Sequence, residues 1–383
     1  MAKRPREVRY GKHNMDYVLL TVVLFLVCFG LLMIYSTSTY IAGVDFDDPA
    51  YYLKRQAVST VLGFVALFFV SRIPYRIWQR FDYLALIVSI ILILLLLTPL
   101  GVTRNNATRW IDLKIGLTLQ PAEVAKLGII IYLASIIERL EEIGKNTLRT
   151  PKGLAIVFIP PTIVAGLIYV ISDNLSSAII VMGIAVAMLF VAVPDYKWFI
   201  IIGVVGIVLV VAVVFYASRA DSTSSFRLAR VKAWLTPEAY STDRAFQTLQ
   251  ALYAIGSGGI WGKGLGQSMQ KLGFLPEAQN DMIFSIICEE LGLFGAMAII
   301  LLFVVLIWSC MVIANKTTDR FGALLVVGVM AHYAIQVILN IAVVTNSIPN
   351  TGITLPFISY GGSAVLFLLS EIGIVLNVSK NCK

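Results

Sequence analysis

Long apolar runs alternate with short polar connections along the chain, at roughly 17–39, 57–71, 83–99, 121–137, 153–171, 175–193, 198–217, 286–314, 321–344 and 355–378. About 20 residues at 1.5 Å rise cross a hydrocarbon core, so each run predicts a transmembrane helix. The expected fold class is an all-α integral membrane protein of about ten transmembrane helices, read as one polytopic domain over residues 1–383. An even number of spans puts both termini on one side. One connection is long, residues 218–281 between spans seven and eight, and loops of that length are usually functional or disordered. Within it, "FRLARVKAW" and "DRAFQTLQALYAIGSGG" have the pattern of short amphipathic helices at the interface, with Trp234 and Tyr240 as anchors. Two runs carry expected breaks, Pro160-Pro161 in the fifth and "NTGITLPFISYGGS" (350–363) in the tenth. Such breaks are tolerated at membrane depth only around a cavity.

Composition supports the membrane reading: 58% of residues are hydrophobic and 14% charged, with a mean hydropathy of +0.86. The net charge of +8 is dispersed among short loops, a topology signal rather than a nucleic-acid footprint. With the N-terminus inside, cytoplasmic segments carry 17 Lys and Arg and the short outer loops 5. Both termini are therefore expected in the cytoplasm and the 218–281 loop outside. The basic start "MAKRPREVRYGKHN" runs into a full-length span, so no cleaved leader is expected. Cys28, Cys288, Cys310 and Cys382 form no CxxC pair, and His13 and His332 are the only histidines. Neither a disulfide framework nor a His-rich metal site is indicated, and His332 reads as a helix-packing residue.

The chemistry gathers ahead of the eighth span, in "GFLPEAQNDMIFSIICEELGLFG" (273–295). No charge occurs from Leu291 to Met311, yet Glu277, Asp281, Glu289 and Glu290 precede that run. Asp281, Ser285 and Glu289 would share one helix face by i, i+4, i+8 spacing. Asp281 could be a helix N-cap, or a carboxylate facing a water-filled cavity at the outer edge. The segment 256–266 has six glycines in eleven residues without a nucleotide-binding pattern. It reads as a re-entrant turn with N–H groups open to an anion, or as a plain connector. Lys54, Arg55, Arg104, Arg109, Arg227, Arg230 and Lys232 would surround the outer mouth with positive charge. Glu123 and Lys126, three apart in the fourth span, must face protein or a cavity.

Several motifs carry a family resemblance: "GSGGIWGKGLGQSMQKLGFLPEAQNDMIFSIICEELG" (256–292), "PNTGITLPFISYGGS" (349–363), "YLKRQ" (52–56), "RW" (109–110) and "LQPAEVAK" (119–126). In this order they resemble the SEDS proteins of shape, elongation, division and sporulation (FtsW, RodA and SpoVE), with wording closer to the division and sporulation branch. The resemblance implies a peptidoglycan glycosyltransferase that polymerises lipid II at the outer face of a bacterial cytoplasmic membrane. It implies a class B penicillin-binding protein as partner, within divisome or elongasome assemblies. It also implies Asp281 as the essential acidic residue, with Arg55, Gln56, Arg109, Trp110, Glu123 and Lys126 lining the central cavity. Lys271 and Glu277, inside the strongest motif, complete the expected substrate-binding set. Asn174 stands where the family commonly has Asp, so no catalytic role is assigned there. No cofactor is certain; charge on the diphosphate calls for the outer arginines or a divalent cation such as Mg or Mn, with Asp281 as a candidate ligand. A lipid II flippase and a non-catalytic scaffold are the competing functions.

Overall fold

Short polar residues set where the helices begin. Asp16 accepts from Leu19 N at 2.9 Å to start α1 (Tyr17–Phe46), and Thr150 and Asn174 cap α6 (Pro151–Ser172) and α7 (Leu175–Ala192) in the same way. The computed structural model describes residues 15–104, 107–113, 118–144, 146–193, 234–240 and 245–382, with scattered positions between 197 and 231. Between α1 and α6 come α2 (Tyr51–Val70), α3 (Arg76–Arg80), α4 (Asp82–Leu95) and α5 (Pro121–Ile143). After α7 come α8 (Phe246–Gly258), α9 (Ile283–Lys316), α10 (Arg320–Val344) and α11 (Gly362–Ser379).

Seven of these helices are long and apolar enough to cross a membrane. Helix α4 is a shorter apolar helix, and the 23-residue α5 is long enough but carries charges. The span expected at 198–217, and most of "FRLARVKAW", lie largely outside the described residues. The chain is thus a multi-pass helical membrane protein. Helix α5 is central, touching α4, α6, α7, α10 and α11, while α2 packs along α11. Asp16 N donates to Ser379 Oγ at 3.3 Å, so the two ends of the described chain lie together, as an even number of crossings requires. At that end Arg76 pairs with Asp319, Arg139 with Asp82 and Arg320 with Glu141.

One expectation needs correction. Pro160 and Pro161 do not break α6, which runs through them; two lost ladder bonds do not end a helix whose other backbone groups have no water to turn to. The connection at 101–119 holds a small antiparallel sheet, β1 (Gly101–Arg104), β2 (Ala107–Asp112) and β3 (Thr118–Leu119), in the order β1-β2-β3. Helix α8 packs its apolar face against α9, with Leu249, Ala251 and Ala254 buried. Trp234 is half-buried, its indole N–H donating to Asn346 O at 2.9 Å. The tenth run is interrupted as expected, with α11 beginning only at Gly362.

Candidate functional site

The four carboxylates ahead of the apolar run have separate fates. Glu289 and Glu290 are fully buried. Lys263 reaches Glu289 at 2.7 Å, and Ser268 also donates to it. Lys271 reaches Glu290 at 2.8 Å, and Ser36 Oγ donates to the same carboxylate at 2.9 Å. Both glutamates therefore clasp the glycine-rich loop to α1 and α9. The backbone closes the clasp, with Lys263 N donating to Glu289 O at 3.0 Å and Gly264 N to Glu290 O at 2.9 Å. Gly262 (φ 79) and Gly292 (φ 68) press so tightly that a Cβ on Gly292 would lie 2.3 Å from Gly262 N. Those two loop N–H groups are spent on carbonyls, so they offer no anion nest, and Gly292 kinks α9 where the uncharged run begins.

Asp281 is different. It lies two residues before α9, whose N-cap is Met282 without a side-chain cap bond. Neither the shared face with Ser285 and Glu289 nor the N-cap role therefore holds. Its side chain is held from α8 by Gln247 Nε2, which donates to Oδ1 at 3.4 Å. Its carbonyl accepts from Asn340 Nδ2 at 2.9 Å. Burial, with the Glu277 carboxylate as the second cause, pushes the Asp281 carboxyl up to about 7. Its own N–H, that of Met282 and the positive charge of Arg109 oppose the rise. Glu277 adopts a left-handed backbone (φ 55) and accepts from Asn280 Nδ2. Arg109 projects from β2, with Nη2 donating to Asp173 O at 3.0 Å and Nε to Ser172 O at 3.3 Å. The hairpin thus delivers a cation toward Asp281 across the end of α6. Asn174 serves as the cap of α7, through Ser177 N at 3.0 Å.

A second group runs into the helix bundle. Lys126 pairs with Glu123 at 2.8 Å and donates to Gln336 Oε1 at 3.2 Å. Gln336 Oε1 also meets His332 Nε2 at 2.9 Å, and His332 Nδ1 meets Glu371 at 2.9 Å. Because Lys126 is donor-only and Gln336 Nε2 donates to Thr354 O at 3.0 Å, that amide oxygen must be the acceptor. His332 Nε2 therefore faces that oxygen as the donor, and Nδ1 faces the Glu371 carboxylate. The five residues are at most 6% exposed, so His332 belongs to a buried polar line rather than to apolar packing.

The remaining expected residues are spread around the end of the bundle that holds Asp281. Gln56 is buried and accepts from Gly361 N at 3.2 Å. Arg55 is exposed over the Tyr51 ring, 4.9 Å from its centroid. Trp110 is half-buried beside Arg109 on β2. Lys271 is held in the buried Glu290 pair, so a substrate anion would have to compete with that carboxylate. Arg227, Arg230 and Lys232 lie outside the described residues. Among the described residues no three His, Cys, Asp or Glu gather as a cation cage. Gln247, Gln336, Asn340 and Asn350 were not singled out from the sequence. Their one signal was the polar stripe His332, Gln336 and Asn340, at i, i+4, i+8 along an apolar run.

Comparison with known proteins agrees with this architecture. The cell cycle protein family of FtsW, RodA and SpoVE matches residues 16–383. Stage V sporulation protein E of Bacillus subtilis (strain 168) is 38% identical over 374 residues, covering 96% of this chain and 98% of its own. A probable peptidoglycan glycosyltransferase FtsW of Trichlorobacter lovleyi is 38% identical over 369 residues, covering 96% of this chain and 94% of its own. A chain from a peptidoglycan synthase complex, solved for the coordination of polymerization and crosslinking, superimposes with a TM-score of 0.76 at 24% identity, covering 95% of this chain and 97% of that one. The rod shape determining protein RodA of Thermus thermophilus gives a TM-score of 0.67 at 24% identity, over 98% of each chain.

Proposed function

We propose, for a chain that belongs to the FtsW, RodA and SpoVE family of cell cycle proteins and is a peptidoglycan glycosyltransferase, that Asp281 is the general base of lipid II polymerisation. In this reading a sugar hydroxyl of one lipid-linked disaccharide attacks the anomeric carbon of another. The new C–O bond forms as the anomeric carbon's bond to the diphosphate breaks, Asp281 takes the hydroxyl proton, and the lipid diphosphate leaves. The leaving group needs no protein acid, so one carboxylate suffices where a glycosidase uses two. The observation that carries the reading is Asp281 itself: buried, without a capping bond, and pushed up to about 7, where a base works near neutrality.

Arg109 supplies the cation for charge developing on the diphosphate. Arg55, Gln56, Trp110, Lys271 and Glu277 form the outer substrate-binding set, with Glu123 and Lys126 beneath them. A magnesium or manganese ion would have to share Asp281 with diphosphate oxygens, since such ions are commonly held by one or two carboxylates plus phosphate. We place the reaction at the outer face of a bacterial cytoplasmic membrane, with both termini cytoplasmic. The partner is a class B penicillin-binding protein in the division or elongation machinery, by analogy with the synthase complex that shares this fold.

The buried line from Glu123 to Glu371 is the one observation that favours a second reading, a lipid II flippase driven by protons. Purified protein given lipid II in liposomes separates the readings. Glycan polymer is the expected product; lipid II scrambling without polymer would favour transport, and neither would favour a scaffold.

A further inference from the structure

A ring of hydrogen bonds closes around Asp281. Asn350 Nδ2 donates to Gln247 Oε1 at 2.7 Å, and Gln247 Nε2 donates to Asp281 Oδ1 at 3.4 Å. Asn340 Nδ2 donates to Asp281 O at 2.9 Å and to Ile353 O at 2.7 Å. Gly352 N donates to Asn350 Oδ1 at 3.1 Å, completing the circuit. Gly352 (φ 71) lies close enough that a Cβ there would stand 3.8 Å from Asp281 Oδ2. The ring joins three elements far apart in sequence: α8, the turn before α9, and the broken backbone before α11.

Asn340 is the member that ties two of them at once. It is fully buried on α10, and its amide nitrogen has two hydrogens for two carbonyls. Its amide oxygen is buried and, among the described residues, has no hydrogen-bond partner. An orphaned acceptor costs free energy, so helix packing alone does not account for an asparagine here. One helical turn earlier, Gln336 donates to Thr354 O, with its oxygen fixed by Lys126 and His332. The stripe His332, Gln336, Asn340 therefore runs from the buried ionic line to the backbone of Asp281.

We propose that Asn340 is a positioning residue for the glycosyl-transfer reaction, holding the Asp281 carbonyl and the 350–354 segment at one fixed separation so that the carboxylate meets the acceptor hydroxyl. The inference rests on Asp281 being the base. A misplacement of about 1 Å can cost about a hundredfold in rate. Asn340 is fully buried and spends its amide hydrogens on carbonyls of the chain itself, so its loss acts on turnover rather than on lipid II binding.

The test compares wild type, Asp281→Asn, Asn340→Leu and Asn340→Asp, each purified as the full chain with its penicillin-binding partner and assayed with lipid II across pH 5 to 9. Asn340→Leu removes both bonds at similar volume; Asn340→Asp keeps the shape, can donate at most one, and decides the matter if the leucine variant does not fold. The expected result is a kcat lower by about tenfold to a hundredfold with KM within about twofold. The rising limb of the pH profile should move to higher pH, because a loosened turn withdraws the backbone N–H groups that favour the ionised carboxylate. Asn340 variants with wild-type kcat and an unmoved limb, beside an inactive Asp281→Asn, would overturn the positioning role alone. An active Asp281→Asn would instead remove the base on which it rests.

Discussion

At the scale of single residues, Asp281 has two pH signatures of known sign. Its proton is held in the folded state up to about 7, against an ordinary value of 3.8. The folded chain therefore binds that proton more tightly than the unfolded one. The associated stabilisation is fully present below about pH 4 and is lost as pH rises to about 7. Asp281→Asn, which mimics the protonated form, should unfold at the same temperature as wild type near pH 4 and at a higher one at pH 8. Differential scanning fluorimetry at the two values measures this, and a variant less stable at pH 8 would contradict it. Activity runs the other way, since a base must be ionised: polymerisation should rise through pH 7. Arg109 lowers the Asp281 value, so Arg109→Ala should move that limb upward as well as weakening lipid II use by about tenfold, with Arg109→Lys recovering part because it lacks a two-pronged donor. Asp281, Glu277 and Arg109 were legible from sequence because they stand in motifs of the family. Asn340 and Gln247 were not, because single amides in apolar helices acquire meaning only when another element's backbone arrives beside them.

At the scale of elements, the glycine-rich loop is a clasp. Lys271→Met leaves Glu290 buried without its cation, and breaking such a pair costs about 3–5 kcal/mol. Lys271→Met with Glu290→Gln should recover much of that loss, which thermal unfolding of the two variants would detect. Additive losses would mean the pair does not hold the loop. Gly292→Ala should be at least as damaging, since its backbone is left-handed and the Cβ has no room beside Gly262. The clasp was half legible. Glycine density announced an unusual turn, but pattern alone could not say that its N–H groups would be used up by the carbonyls of Glu289 and Glu290. The β1–β2 hairpin escaped because its strands are 4 and 6 residues long, too short for a hydropathy window tuned to membrane spans. Pro160 and Pro161 misled in the opposite sense, because proline's local penalty is outweighed where a bilayer enforces helix.

At the scale of the whole molecule, periodic hydropathy carried most of the architecture, since a bilayer leaves a spanning chain few alternatives to helix. The separation into a paired, arginine-bearing end and an opposite end holding Asp281 came only with the structure. The topology proposed from charge has its own test: a cysteine introduced at Thr103 should react with an impermeant maleimide on intact cells, and one at Asn146 should react only after permeabilisation. Reversed labelling would put Asp281 on the wrong side for lipid-linked sugars. The most direct measurement is lipid II polymerisation by the purified complex carrying Asp281→Asn, with assembly checked by co-purification of the partner. The complex should stay intact while its glycan synthesis falls by about 10²–10⁴-fold, the contribution typical of proton transfer. Polymer made at the wild-type rate would contradict it, and the base would have to be sought elsewhere.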